Sequence, residues 1–157
     1  MRASRQSGNA LVEFAVVLPL LVLLLLGTIN FGYVMFYYTR VDKAVHDGAR
    51  YGSLRTYSEQ PGDAALFRQA VARAVVYGTP AGSGSPVAPG LTEGNISVTR
   101  SPATAGTRPR TITVTVVNYD IPGASMAFLP GNRRATVSGK PVATFPFLGR
   151  YVPPVLP

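Results

Sequence analysis

Residues 8–39 read GNALVEFAVVLPLLVLLLLGTINFGYVMFYYT, and this stretch decides the architecture of the protein. From Phe14 to Thr39 the chain has 26 residues without a charged side chain. As one helix this run would be about 39 Å long, whereas a bilayer core about 30 Å thick needs only about 20 residues. The run therefore predicts a membrane-spanning helix. Pro19 removes one backbone donor and predicts a kink or a loosened turn.

The alternative for such a run is a secretory signal peptide, whose apolar region has about 7–15 residues and ends in small residues. The run here is longer and ends in aromatic residues of the kind found at membrane–water interfaces: Phe31, Tyr33, Phe36, Tyr37 and Tyr38. Arg2 and Arg5 precede the run, and Arg40 follows it. The positive-inside tendency predicts a cytoplasmic N-terminus and export of everything after the span.

One carboxylate, that of Glu13, stands at the entrance of the apolar run. Gly8, four further residues, Glu13 and Phe14 form the pattern at which prepilin-type peptidases cut, directly after the glycine. From background composition, the chance of such a match at any one starting position is on the order of one in several thousand. The alternative is an ordinary anchor whose first acidic residue reaches the lipid headgroups. We favour the processing signal, because an acidic residue at a membrane span usually has a function.

The helical pattern continues beyond the span as a stripe of small apolar residues: Val41, Ala44, Val45, Gly48, Ala49 and Gly52. Gly48 and Gly52 allow another backbone to approach closely, or alternatively mark the end of the helix. Ser58, followed by Pro61 and Asp63, fits the start of a second helix that continues through about Tyr77, with Gly78 as its stop. Its predicted apolar face consists of Leu66, Phe67, Ala70, Val71, Ala74 and Val75.

The last third of the chain alternates with the period of a strand. Residues 79–90 are rich in Pro, Gly and Ser and predict a flexible linker. Strands are then predicted around Ile96 and Val98, over residues 111–116, and around Arg134 to Lys140. The proline-rich tail is expected to be extended and poorly suited to a central strand.

The composition excludes several classes of protein. Cysteine is absent, so disulfides and thiolate metal sites are excluded. The net charge of +8 is spread thinly, which argues against a nucleic-acid partner. Asp42 and His46 share a helix face, but a solvated face is favoured over a metal site because two ligands do not close one. With one histidine and no nucleophile motif, we expect no enzyme, metal or cofactor.

Several arginines fall near the predicted strand ends: Arg100, Arg108, Arg110, Arg133 and Arg134. They form either one basic edge that holds an anionic surface or a dispersed solubilising surface. We favour the dispersed surface, because charged residues also protect edge strands from unwanted pairing.

The N-terminal third resembles the TadE-like family of pseudopilins from tight-adherence (Flp-type) pilus systems. The resemblance rests on the basic leader, Gly8, the pair Glu13-Phe14 and the apolar helix with Pro19. Residues 47–52, DGARYG, resemble a small-residue, arginine-bearing stretch of that family. Flp-type major pilins share the cleavage pattern but have little chain beyond the helix. The residues after Arg55 therefore favour a minor, pseudopilin-like component.

The resemblance implies that a prepilin peptidase cleaves between Gly8 and Asn9, so that Asn9 carries the new α-amine. It also implies that Glu13 pairs with the terminal amine of a neighbouring subunit. Elementary electrostatics agree, because an α-amine is mostly protonated at neutral pH and an unpaired carboxylate is disfavoured in a low-dielectric bundle. Apolar side chains pack equally well in lipid and cannot supply such a register signal.

We therefore predict an α+β protein, in which a long N-terminal membrane helix runs into an exported domain with a second helix and a small antiparallel sheet. The predicted parts are a leader at 1–8, a membrane helix at 9–39 and an exported domain at 40–157. The predicted function is that of a processed minor pilin in the bacterial inner membrane or the pilus, with other pilin-like subunits and the assembly machinery as partners. The alternative is an uncleaved, membrane-anchored scaffolding or binding protein of a secretion apparatus.

Overall fold

The computed structural model describes residues 3–125 and 134–154, and its longest element is one continuous helix. This helix, α1, extends over Ala3–Leu54 and includes Pro19. With 52 residues it is about 78 Å long. It continues past Arg40 without a break, as the stripe of small apolar residues predicts. Residues 1–2 of the predicted leader lie outside the described part of the chain.

The second helix, α2, covers Asp63–Tyr77 and ends at Gly78, which has a φ of 73°. This left-handed conformation carries no Cβ penalty in glycine, so the predicted stop is confirmed. The predicted apolar face is only partly right, because Leu66 is 63 % exposed while Ala72 and Val76 are buried. The reason is that α2 packs against α1 on one side and against the sheet on the other, which widens and rotates its buried arc.

The described residues form seven strands, which lie between the helices or follow them. They are β1 (Tyr57–Ser58), β2 (Ile96–Ser101), β3 (Thr111–Val116), β4 (Tyr119–Ser125), β5 (Arg134–Val137), β6 (Val142–Pro146) and β7 (Tyr151–Val152). The largest sheet is antiparallel in the order β2-β3-β6, with β3 in the centre. The predicted strands at residues 96–98 and 111–116 are thus confirmed as a pair. Two of the strands missed from the sequence, β4 and β6, contain prolines, which lower strand propensity.

Two smaller pairings complete the architecture. Strand β5, near the predicted third strand, pairs with β4 in a separate antiparallel ribbon rather than with β3. The two-residue strands β1 and β7 pair in parallel and join the segment after α1 to the C-terminal tail. Strand β6 thus lies at the edge of the main sheet, and β7 in the tail belongs to the separate pair with β1. Arg133 and residues 155–157 lie outside the described residues.

The core lies where the C-terminal half of α1 meets α2 and one face of the main sheet. Val41, Val45 and Ala49 of α1 are at most 1 % exposed. They meet Val71 and Val75 of α2 and the inward residues of β3, which are Ile112, Val114 and Val116. The stripe of small residues predicted on α1 is therefore the helix surface against which α2 and the main sheet pack.

Residues 79–90 form neither a helix nor a strand, but they contact the rest of the fold. The amide of Val87 donates to the carbonyl of Val76 at 2.8 Å. Ala88 is completely buried. This segment connects α2 with the 3₁₀ turn at Glu93–Asn95 that precedes β2.

Candidate functional site

Glu13 lies near the N-terminal end of α1, on a segment that is exposed throughout in the part of the chain that the structure describes. Its side chain is exposed, as are all residues from Ala10 to Leu26. Among the described side chains, none forms an ion pair with the Glu13 carboxylate. A cation that pairs with Glu13 must therefore come from outside the described residues or from another molecule. The backbone of Gly8 and Asn9 is helical and continuous with α1.

The surface that follows Glu13 is apolar on every side of the helix. The most hydrophobic window of the segment Ala10–Leu54 has a mean hydropathy of 2.7, and none of that window is buried. Large side chains such as Val16, Leu20 and Leu24 are between 61 and 72 % exposed. A helix that is apolar all round needs either protein or lipid around it. The length and composition of this helix are those of a membrane anchor.

The folded part of the chain contacts α1 at Tyr33. The Tyr33 hydroxyl donates to the carbonyl of Pro122 at 2.9 Å. Gly123, with a φ of 79°, lies so close that a Cβ there would be 3.3 Å from the same hydroxyl. One turn later, Tyr37 packs edge-on against Tyr33, with ring centroids 4.7 Å apart. The aromatic cluster at the end of the apolar run therefore joins α1 to strand β4.

The two glycines predicted as helix-packing residues face α2. A Cβ on Gly48 would lie 2.2 Å from Val75 Cγ2, which is far inside van der Waals contact. A Cβ on Gly52 would lie 3.0 Å from Val71 Cγ2. Helix α1 ends two residues after Gly52, at Leu54. The close approach at Gly48 and Gly52 is thus made within the chain, between α1 and α2.

The pair Asp42 and His46 forms a local contact on the surface of α1. His46 Nδ1 lies 2.9 Å from the backbone carbonyl of Asp42 and 3.7 Å from its carboxylate. Both side chains are about half exposed. Within the described ranges, no cluster of three metal-ligating side chains occurs.

A buried polar cluster, which the sequence did not indicate, surrounds Arg100. Its guanidinium pairs with the Glu59 carboxylate at 2.6 Å, and the two side chains are only 14 % and 8 % exposed. Arg100 also donates to the backbone carbonyls of Pro102, Thr104 and Thr107. The same guanidinium lies over the ring of Tyr57, 5.3 Å from its centroid. Arg100 thus organises the loop between β2 and β3 and does not belong to a basic surface.

Glu59 completes the same cluster from the segment between the helices. Its second carboxylate oxygen accepts a hydrogen bond from the backbone amide of Gly106 at 2.6 Å. Burial, and then the Glu59 carboxylate, raise the pKa of the Tyr151 phenol in β7. The sequence signal for this cluster is weak, because Glu59 and Arg100 are 41 positions apart and lie in segments of different type.

Two open clefts lie side by side on α1 at the boundary between the apolar and the folded parts. The lower one has a volume of about 370 Å³ and is lined by Gly32, Met35, Phe36, Thr39, Arg40 and Lys43. The upper one, of about 420 Å³, opens between α1 and the end of α2. Arg40 and Lys43 line both clefts. Three further clefts among the described residues lie beside α2.

Comparison with known proteins bears on the N-terminal part of the chain. Residues 8–50 match the family model described as TadE-like protein, which confirms the resemblance seen in the sequence. The matched residues include Glu13, the whole apolar run and the first turns of α1 that pack against α2. This family suggests involvement in Tad pilus systems and a structural rather than catalytic role. Searches of the curated proteins and of the solved structures returned no match.

Proposed function

Starting from this TadE-like N-terminal segment, we propose that the protein is a processed minor pilin, or pseudopilin, that takes part in assembling a Tad/Flp-type surface pilus for adhesion. Residues 1–8 are a leader that a prepilin peptidase removes, residues 9–39 anchor the protein in the inner membrane, and residues 40–157 are exported. The observation that carries the proposal is the Glu13 carboxylate, which is exposed at the head of an otherwise apolar helix and lacks a described cation partner.

Cleavage after Gly8 creates a cation at a suitable place on the next subunit. The new α-amine of Asn9 is mostly protonated at neutral pH. When subunits assemble side by side in lipid, the state in which Glu13 of one subunit meets Asn9 of its neighbour leaves no unpaired charge. The rest of the segment packs equally well in several registers, because leucine and valine gain little in exchanging lipid for protein. Glu13 therefore selects the register of assembly.

The exported fold leaves the N-terminal segment free for this contact. Residues Ala10 to Leu26 are exposed in the single chain, whereas Gly48 and Gly52 already face α2 at close range. Assembly contacts in the membrane thus involve the first half of α1, and the second half of α1 carries the folded domain.

N-terminal sequencing of the protein after expression with an active prepilin peptidase tests the processing step. We expect the mature chain to begin at Asn9. Gly8→Phe should abolish this cleavage, while Gly27→Ala, a glycine substitution further along the same helix, should leave it unchanged. A mature N-terminus elsewhere would refute the leader. An uncut chain in the presence of an active peptidase would favour the alternative function, a membrane-anchored scaffolding protein.

Recovery of the protein in sheared filaments, compared with the membrane fraction, tests the role of Glu13. We expect Glu13→Ala and Glu13→Gln to lower incorporation by roughly tenfold or more, as the loss of one partner from a buried charge pair does in other interfaces. Asp47→Asn removes an exposed carboxylate from the same helix outside the membrane and should have no such effect. Unchanged processing and incorporation of Glu13→Ala would contradict the assembly contact.

A further inference from the structure

The contact between Tyr33 and β4 sets the level at which the membrane can begin. From Tyr33 onward, one face of α1 is covered by the exported fold, and Val34 and Tyr37 are partly buried against its core. The lipid-accessible run from Phe14 to Gly32 then contains 19 residues and is about 28 Å long. This length matches a hydrocarbon core of about 30 Å. The hydrocarbon boundary on the exported side therefore lies near Tyr33.

Two cations follow this boundary on the uncovered side of α1. Arg40 and Lys43 lie seven and ten residues after Tyr33, which is about 10 and 15 Å along the axis. Helical side chains tilt toward the N-terminus, here toward the membrane. Arg40 shows this tilt directly, because its guanidinium carbon lies 5.5 Å from the centre of the Phe36 ring, one turn closer to the membrane. The cationic groups thus reach down toward the headgroup layer.

Both cations are available to an anion from outside the chain. Arg40 and Lys43 are exposed, and neither forms an ion pair with any carboxylate of the described residues. They stand at the top of the lower cleft, whose membrane-proximal wall is formed by Gly32, Met35 and Phe36. The site therefore combines an apolar groove directed toward the bilayer core with two cations directed toward its surface. A phospholipid has the matching arrangement, with its acyl chains toward the bilayer core and its phosphate at the surface.

We propose that Arg40 and Lys43 bind the phosphate of an anionic phospholipid in the exported leaflet, with part of one acyl chain along Gly32, Met35 and Phe36. The proposal rests on the membrane orientation given under the proposed function. Bound in this way, the lipid would hold the folded domain against the bilayer surface and limit its tilt. Guanidinium and ammonium groups near an anionic membrane surface favour binding by about fivefold each.

The test is reconstitution of the full chain into nanodiscs of pure phosphatidylcholine or of phosphatidylcholine mixed with phosphatidylglycerol. Lipids retained by the protein are counted by native mass spectrometry. We expect phosphatidylglycerol to be enriched over its share of the bilayer, and the double variant R40Q/K43Q to lower this enrichment by roughly 25-fold, the product of the two single effects. R50Q removes a cation seven residues further along α1, about 10 Å farther from the bilayer, and should keep the enrichment.

Each other outcome overturns the proposal in a distinguishable way. Equal retention of phosphatidylglycerol by the double variant, or an equal loss in R50Q, would show that these two side chains do not form the site. Displacement of the lipid by inorganic phosphate at equal concentration would show a simple anion site and not a lipid site. Alkaline extraction of the same protein from membranes is a separate measurement. Failure to remain in the membrane there would refute the proposed function, whereas loss of lipid selectivity alone would refute only this inference.

Discussion

The approach of α2 to Gly48 predicts a strong response to the smallest possible side chain. In Gly48→Ala the new methyl group would lie 2.2 Å from Val75 Cγ2, where carbon atoms prefer about 3.5–4.0 Å. Val75 is completely buried and its neighbours are close-packed, so its branched side chain cannot move aside freely. One of the two helices must therefore shift by an ångström or more.

The free-energy balance of this substitution follows from two opposing effects. Alanine stabilises a helix interior by about 1 kcal/mol relative to glycine. Overpacking a core costs about 1–3 kcal/mol, and an overlap of more than 1 Å belongs at the upper end of that range. We therefore expect Gly48→Ala to lower the free energy of unfolding of the α1–α2 contact by about 1–2 kcal/mol. At Gly52 the shorter overlap, with Val71 Cγ2 at 3.0 Å, should nearly cancel the helix-propensity gain.

Hydrogen exchange of the α2 amides in detergent-solubilised protein measures this local stability. The expected order of destabilisation is Gly48→Ala, then Gly52→Ala, then Gly27→Ala, whose new methyl group would meet nothing within 4 Å. Val75→Ala should restore part of the loss, because it removes the clashing methyl groups. The double variant should thus be more stable than the sum of the two single effects by about 1 kcal/mol or more. Strictly additive effects, or a stabilised Gly48→Ala, would refute the proposed packing.

Two further predictions concern the α+β fold that follows the apolar run. Arg100→Leu leaves the buried Glu59 carboxylate without its cation and should destabilise the fold by about 3–5 kcal/mol. Arg110→Leu removes an exposed arginine and should change the stability little. Equal effects of the two substitutions in denaturant unfolding would contradict the buried pair. Burial, and then the nearby Tyr33 and Tyr37, raise the pKa of Tyr119 from its ordinary value of 10.0 to about 12. Because the folded-state pKa is the higher one, its contribution to stability is complete below pH 10 and is lost as the pH rises toward 12. In ultraviolet titration, Tyr119→Phe should remove one of the late-ionising phenols; a late-ionising amplitude that is unchanged in that variant would disprove the assignment.

The helices and strands of this fold were predictable wherever a single sequence pattern, such as an apolar run or strict alternation, covered the whole element. The apolar run and the small-residue stripe indicated α1 through to its contact with α2, and Gly78 indicated the end of α2. Strand β3 was predicted because Ile112, Val114 and Val116 alternate with threonines and face one core. The prediction failed for β4 and β6, whose Pro122 and Pro146 lower local strand propensity while neighbouring strands still supply hydrogen-bonding partners.

The candidate site likewise has one part that the sequence predicts and one part that only the fold brings together. Gly8, Asn9, Glu13 and Phe14 lie within seven consecutive residues of one helix, so their spacing is visible in the sequence and their relative placement needs no tertiary information. The Glu59–Arg100 pair and the contact between Tyr33 and Pro122 join positions that are distant in the chain. Their existence depends on how α1, α2 and the strands pack, which no local pattern records.

The sequence by itself determined that a single carboxylate stands at the head of an apolar helix and that this helix continues into an α+β fold. This was possible because hydrophobicity and helical periodicity are properties of consecutive residues. Only the tertiary structure decided that Gly48 and Gly52 are used inside the chain, that Arg100 is buried, and that the folded domain reaches down to Tyr33. Each of those features is a contact between residues that are far apart in the sequence. Such contacts form only when the whole chain packs into its core, so no single segment determines them.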